Sequence, residues 1–331
     1  MTYKIFIDGG EGTTGLRLSN RLSSRYDIEL LTIDSDLRKD IAARMEVISK
    51  ADIVFLCLPD TGSKEIVGAI EADLEKNKEE SAFKNLKIID ASTAYRVNDA
   101  WTYGLPELYK TPGKKYEATP VETSKRVCVP GCHATGFIVS INPLIEAGLI
   151  DANQIYSAHS LSGYSGAGKS AIALYESCDA GKLLSAPRQY ALTQTHKHIP
   201  EMMKYSGVSA QPVFAPIICN FYSGMLVSVS ISNTENQGLT VEKVHDTLAE
   251  KYDGCQFIRV RELGYNPEDG FLSAIALSDR DDLEMIVTGG AGCIEIITRY
   301  DNLGKGASGA AIQCMNRMLG MPEDEGLILG E

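Results

Sequence analysis

Short apolar runs separated by longer amphipathic stretches dominate the first third of the chain. Segments 4–8, 28–33, 53–58 and 86–90 are apolar along most of their length, the pattern of strands covered on both faces of a parallel sheet. A helix is predicted from Leu16 to about Tyr26, between the first two runs and at the spacing of a βαβ unit. Repetition of that unit predicts an α/β fold with a doubly wound parallel sheet. Segment 71–84 is dense in charge and reads as the solvated end of a helix with its connecting loop.

A long apolar run over 137–149 predicts a buried helix, and beyond it the texture changes. Segments 155–160, 225–232, 257–260 and 285–288 alternate apolar and polar residues in the manner of antiparallel strands, which predicts a second, α+β domain. The tail passes through very small residues over 301–311 into Ile312, Met315, Met318 and Leu319 at helical spacing. Small residues let a helix approach another backbone, or a cofactor, closely. No internal repeat or low-complexity segment interrupts the pattern.

Composition narrows the class. The 331 residues, 44% of them hydrophobic, suffice for two cores. A net charge of -12 argues against a general nucleic-acid or membrane surface, so an anionic substrate needs a local basic pocket. No apolar run reaches the roughly 18 residues of a membrane span, and the first residues lack a secretory apolar core. The expectation is a soluble, cytoplasmic protein. Eight cysteines are scattered singly without a CxxC pair, which predicts free thiols rather than a disulfide framework or zinc ribbon.

Two motifs carry chemistry. Gly10, Gly12 and Gly15 satisfy GxGxxG, and Gly9, Gly12 and Gly15 equally satisfy GxxGxxG. Following the first strand, this turn with Thr13 and Thr14 reads as a Rossmann-type dinucleotide site, where backbone and helix N-terminus meet a pyrophosphate. Asp34 at the end of the second strand offers an acceptor to the ribose hydroxyls of NAD, whereas Ser35, Arg38 and Lys39 offer partners to a 2′-phosphate. The second motif is Pro130-Gly131-Cys132 at the start of the buried helix. Most free cysteines are small buried hydrophobes, but helix N-terminal amides favour a thiolate and can also hold an oxyanion, with the backbone of Gly131 to Ala134 as donor.

A thiolate that forms a thioester needs a proton partner. His196 and His198 form an HxH pair which, on a strand, shows both rings on one face. The pair is also a metal-ligand pattern, but no third ligand stands at a helpful spacing, so acid–base work is favoured and no metal is expected. His133 follows the cysteine directly, yet adjacent side chains on a helix diverge by about 100° and rarely meet. His159 and His245 read as structural or exposed. A second glycine-rich loop, 162–168, ends in Lys169 and suits a phosphate or carboxylate.

The order of these segments resembles the N-acetyl-γ-glutamyl-phosphate reductases of arginine biosynthesis, in particular their shorter, type 2 subgroup. The resemblance spans nearly the whole chain. It rests on the first glycine loop, Asp90-Ala91-Ser92-Thr93-Ala94-Tyr95-Arg96, Tyr103-Gly104-Leu105-Pro106-Glu107, Pro130-Gly131-Cys132, Ser165-Gly166-Ala167-Gly168-Lys169 and His196-Lys197-His198-Ile199-Pro200-Glu201. It implies an NADP-binding domain over 1–128 and 300–331, with Asn302 among the cofactor residues, and a catalytic and dimerisation domain over 129–299. It further implies Cys132 as nucleophile and one histidine of the pair as acid–base, with Lys169, Arg96 and Glu107 at the substrate.

The reaction so implied takes an acyl phosphate through a cysteine thioester to an aldehyde, with release of inorganic phosphate. NAD stays in reserve because of Asp34. A homo-oligomer, dimer or tetramer, is expected from the second-domain sheet. Aspartate-semialdehyde dehydrogenase or aminoadipyl-phosphate reductase would use the same chemistry. A cysteine acyl hydrolase would leave the glycine loop unexplained, and a non-catalytic dinucleotide sensor would leave Cys132 unexplained.

Overall fold

The computed structural model describes residues 2–114, 118–177, 181–232, 238–290 and 292–330. In it the first apolar runs become strands of one sheet: β1 (Tyr3–Asp8), β2 (Ile28–Leu31), β3 (Ile53–Leu56), β4 (Lys87–Asp90), β5 (Thr102–Tyr103) and β6 (Arg126–Cys128). They are joined through helices α1 (Thr13–Leu22), α2 (Ile41–Ile48), α3 (Asp60–Asn77) and α4 (Pro120–Thr123). The strands are all parallel, in the order β2-β1-β3-β4-β6-β5. Every residue of β3 is buried, which explains its unbroken apolar run. The order reverses between β1 and β3, so the glycine turn after β1 sits at the topological switch point, where ligands of such sheets bind.

After β6 come α5 (Cys132–Glu146), β7 (Ser157–Gly163), α6 (Lys169–Glu176), α7 (Gly181–Leu184), β8 (Arg188–Gln189), α8 (Ile199–Ser206), β9 (Val213–Cys219) and β10 (Met225–Ser232). Then follow α9 (Val241–Tyr252), β11 (Ile258–Val260), β12 (Leu283–Gly289) and β13 (Cys293–Tyr300). Among the described residues this half forms a seven-stranded sheet, order β11-β12-β13-β10-β7-β9-β8. The sheet is mixed: β10 runs antiparallel to β13 and β7, as its alternating burial predicts, whereas β7 pairs with β9, and β11 with β12, in parallel. Helix α5 is buried from His133 to Leu144, and Gly136 lets it lie against the sheet, since a Cβ there would fall 2.5 Å from Thr298 Oγ1.

The last helix, α10 (Gly309–Leu319), packs on α4 and β4 of the first sheet through Ala310, Ile312, Met315 and other buried residues. The chain thus divides into a first unit of Met1–Gly104, Pro120–Val129 and Ser308–Leu327, and a second of Leu105–Thr119, Pro130–Ala307 and Ile328–Glu331. The sequence boundaries at 128/129 and 299/300 differ from this division at Val129, over 328–331 and in two longer segments. Segment 105–119 joins the second unit because Glu107 there forms a buried ion pair with Lys305, 2.7 Å apart. Residues 300–307 join it because Tyr300 completes β13 and the Asp301 carboxylate accepts the amides of Leu303 and Gly304. Among the described residues no helix is long and apolar enough to cross a membrane.

Candidate active site

Cys132 is the first residue of α5, five residues earlier than the apolar run alone suggests. Its carbonyl accepts the Tyr300 hydroxyl at 2.6 Å, and that hydroxyl accepts the Gly136 amide at 3.1 Å, so β13 braces the first turn. Gly131, the N-cap, contributes no side-chain cap, and its own amide donates to the buried Glu201 carboxylate at 3.0 Å. This corrects one expectation: the Gly131 amide is already engaged, and the amides of the first turn, from Cys132 to Ala134, are the ones a side chain leaves uncapped.

The HxH pair does not lie on a strand. His196 sits in a turn and His198 is the N-cap of α8, its amide donating to His196 Nδ1 at 3.1 Å. Proline at position 200 and left-handed Gly207 delimit this short helix. The approach to it is pinned by Gln194, whose side-chain amide exchanges two 2.8 Å hydrogen bonds with the backbone of Phe214 on β9, mimicking a strand pair. The two imidazoles pack edge-on with centroids 4.6 Å apart, and Phe214 lies edge-on to His196 and His133.

His133, set aside on sequence grounds, belongs to the cluster. Sγ of Cys132 and a ring nitrogen each of His133 and His198 lie within 4.8 Å of one another. The divergence of neighbouring helical residues concerns their Cα–Cβ directions, whereas the His133 ring is anchored at its far edge. Nδ1 meets Ser160 Oγ of β7 at 2.6 Å, and Nε2 meets the Tyr190 hydroxyl at 2.8 Å. Burial, with His196 nearby, lowers its pKa to about 3, so the ring is neutral at physiological pH. Burial and the neighbouring Cys132 push the Tyr190 phenol up.

A cavity of about 530 Å³ opens on Cys132, His133 and His196. Gly163 and Gly166 of the second glycine loop line it, but Lys169 does not and is exposed on α6. The cations at this cavity are Arg188 and Lys197. Arg188 is held in place by the Tyr175 hydroxyl, 2.8 Å from Nη2, and by the face of the same ring. Asn302 fixes the loop, accepting the Gly224 amide and donating to Ser165 Oγ, both at 2.9 Å; its amide is 1% exposed and is committed there rather than presented to a cofactor.

Two further sequence candidates are internal supports. Arg96 is buried and donates to the carbonyls of Val129 and Ala91, and Glu107 is paired with Lys305, itself fully buried beneath Phe257. Neither lines the cavity. His159 is exposed on β7 and His245 pairs with Asp246, as expected of residues outside the site.

In the first unit, the glycine turn has the predicted shape. Gly9 is left-handed at φ +84°, and a Cβ there would meet the Cys57 carbonyl oxygen at 2.3 Å. A Cβ on Gly15 would fall 2.6 Å from the Gly9 oxygen, so this glycine lets α1 close on the turn. Gly10 and Gly12 are under no such demand, their nearest neighbours being 3.4 Å away. No side chain caps α1, whose first turn holds Thr13, Thr14 and Gly15, so its amides suit an anion. Arg38 reaches the turn and pairs with Glu11 at 2.7 Å, while Ser35 Oγ meets Asp36 at 3.3 Å.

A parallel sheet with a glycine turn at its switch point, joined to a unit that presents a thiol beside two imidazoles, defines a cysteine-bearing nicotinamide dehydrogenase. Residues 4–116 match the semialdehyde dehydrogenase NAD binding domain, and residues 132–302 the semialdehyde dehydrogenase dimerisation domain. N-acetyl-gamma-glutamyl-phosphate reductase of Rhizobium etli is 38% identical over 96% of this chain and 99% of its own. N-acetyl-gamma-glutamyl-phosphate reductase 2 of a Nostoc species is 37% identical over 98% and 99%. The chain belongs to the N-acetyl-γ-glutamyl-phosphate reductase family. Its fold is shared by aspartate semialdehyde dehydrogenase II of Vibrio cholerae, at a TM-score of 0.69 and 16% identity over 97% of this chain and 99% of that one. The NADP-bound aspartate semialdehyde dehydrogenase of Candida albicans aligns with a TM-score of 0.62 and 17% identity, again over 97% and 99%.

Proposed function

We propose that the protein reduces N-acetyl-γ-glutamyl phosphate to N-acetylglutamate 5-semialdehyde with release of phosphate, the reductive step of arginine synthesis that the family resemblance implies. The observation that carries this reading is the placement of Cys132 at the N-terminus of α5, its thiol within 4.8 Å of the His198 ring, in a chain whose relatives bear that name. His198 takes the thiol proton, being the member of the pair whose nitrogen approaches Sγ. Cys132 Sγ then bonds to the acyl carbon, the carbon–oxygen bond to phosphate breaks, and a thioester remains on the cysteine.

The first-turn amides of α5 hold the oxyanion formed in each addition. His196, which lines the cavity, and the Arg188 guanidinium orient the substrate, Arg188 toward phosphate or the remote carboxylate. A bound nicotinamide cofactor supplies the hydride that reduces the thioester. His198 lends its proton to the resulting oxygen and takes it back as the carbon–oxygen double bond re-forms, so that the carbon–sulfur bond breaks to leave the Cys132 thiolate and the free aldehyde.

The turn at Gly9 and Gly15 with the uncapped start of α1 fits a pyrophosphate. Arg38 beside that turn supports NADP over NAD by offering a 2′-phosphate a cation in exchange for Glu11. A homo-oligomer through the seven-stranded sheet accords with the dimerisation-domain match.

The test is reduction of NADP+ or NAD+, followed by absorbance, with N-acetylglutamate semialdehyde and phosphate, against aspartate semialdehyde. Phosphate-dependent turnover of the acetylated aldehyde with NADP+, absent in Cys132→Ser, is the expected result. Preference for aspartate semialdehyde overturns the substrate assignment, and turnover without phosphate overturns the acyl-phosphate chemistry.

A further inference from the structure

The HxH pair lacks a third ligand in sequence, but the fold brings one of its members, His198, to two other ligand-type side chains. Cys132 sulfur and nitrogens of His133 and His198 come from one helix start and one helix cap 66 residues apart, and they converge within 4.8 Å. Ligand atoms of a tetrahedral zinc site stand about 3.5 Å apart, given metal–nitrogen and metal–sulfur bonds of ~2.0 and ~2.3 Å. The cluster is therefore at most about 1.3 Å per edge from closing on an ion, a distance within side-chain reach.

We propose that Cys132, His133 and His198 form a reversible site for a soft divalent cation, zinc or its analogue cobalt, which silences the enzyme by taking the nucleophile as a ligand. The inhibitory consequence rests on the reductase reading, whereas the binding does not. On binding, the Cys132 thiol releases its proton to solvent and the sulfur lone pair bonds the ion, with no change of oxidation state. His133 ligates through Nε2, which now meets the Tyr190 hydroxyl, while Nδ1 keeps its proton and donates to Ser160 Oγ.

That hydroxyl is the second support a metal-binding histidine ordinarily has: a partner on the far nitrogen that fixes tautomer and ring orientation. The fourth position faces the cavity and is filled by water or by a phosphate oxygen. The three ligands leave the site open on that side, so the ion is removable by a chelator and competes with substrate.

The experiment titrates metal-free, reduced protein with Co2+. The wild type is expected to give one equivalent of bound cobalt with intense tetrahedral visible bands and a thiolate-to-cobalt charge-transfer band in the near ultraviolet. Cys132→Ser loses the charge-transfer band. His133→Phe, which keeps ring volume and leaves the thiol in place, weakens binding about tenfold or more. Should His133→Phe fail to fold by circular dichroism, His198→Asn takes its place with the same expected loss.

Absence of the charge-transfer band in the wild type, or equal affinity in wild type and histidine variant, overturns the site. Turnover of the metal-free enzyme is measured in parallel, with and without equimolar Zn2+ and then EDTA. Loss and recovery of turnover complete the proposal. An enzyme that turns over but shows no cobalt spectrum refutes the metal site alone, and one with the full spectrum but no turnover refutes the reductase reading alone.

Discussion

The Glu201 carboxylate accepts the Gly131 amide 3.0 Å away, tying the helix that His198 caps to the turn that presents Cys132. Both partners are buried, so the bond sets the distance between imidazole and thiol rather than decorating the surface. Glu201→Ala leaves a buried donor unsatisfied, a cost of about 1–3 kcal/mol, and is expected to lower kcat by roughly tenfold or more with a smaller change in KM. Glu201→Gln keeps an acceptor oxygen and retains most of kcat. Equal loss in both variants, measured by steady-state kinetics, contradicts a positioning role.

His133 links stability to pH with a definite sign. Its pKa falls from the ordinary 6.5 to about 3 in the folded protein, so below about pH 6.5 the unfolded chain takes up a proton that the folded one refuses. Stability then declines as pH falls toward 3, by up to ~1.4 kcal/mol per pH unit from this group. In His133→Phe the decline between about pH 6 and pH 4 is shallower than in the wild type, by denaturant unfolding at each pH. Parallel curves would place the titration elsewhere.

The glycine turn separates two readings of one sequence motif. Gly15→Ala drives a Cβ to 2.6 Å from the Gly9 oxygen, with only backbone in its way, and is expected to cost about 1–3 kcal/mol by overpacking and to raise the cofactor KM. Gly10→Ala meets nothing closer than 3.4 Å, so its melting temperature stays near that of the wild type. Any rise in cofactor KM for Gly10→Ala then reports the approach of the pyrophosphate rather than a damaged turn. Thermal unfolding without cofactor, beside titration with NADPH, distinguishes the two.

Lys305 and Glu107 are 2.7 Å apart and nearly sealed from water. Removing one partner strands the other, so Lys305→Met is expected to destabilise by ~3–5 kcal/mol, and the double variant Lys305→Met with Glu107→Leu to recover much of that loss. Chemical denaturation of the single variants Lys305→Met and Glu107→Leu and of the double variant checks it. Additive losses would show that the two charges do not depend on each other.

The periodicity of the chain exposed both sheets, because buried parallel strands are apolar throughout and β10 alternates residue by residue. The glycine turn and the Pro130-Gly131-Cys132 start of α5 were legible for a related reason: each is a local conformation with local residue demands. His133 was not, since its place depends on Ser160 and Tyr190, contributed by β7 and by the segment following β8. Arg188 and Gln194 carried no local signal either; the one is held by Tyr175 and the other by Phe214. Conversely, Arg96, Glu107 and Asn302 have the residue types of ligand-binding groups, but their polar atoms are turned inward on carbonyls, a lysine and a loop. Nothing in a sequence distinguishes a polar group that braces a site from one that lines it.

The most direct test of the account is to mix the protein with N-acetyl-γ-glutamyl phosphate in the absence of cofactor, quench in acid and digest for mass spectrometry. One N-acetylglutamyl group on Cys132, formed with stoichiometric phosphate and discharged as aldehyde when NADPH is added before the quench, is the predicted result. Phosphate release without acylation of Cys132, or an acyl group carried by any other residue, would contradict it.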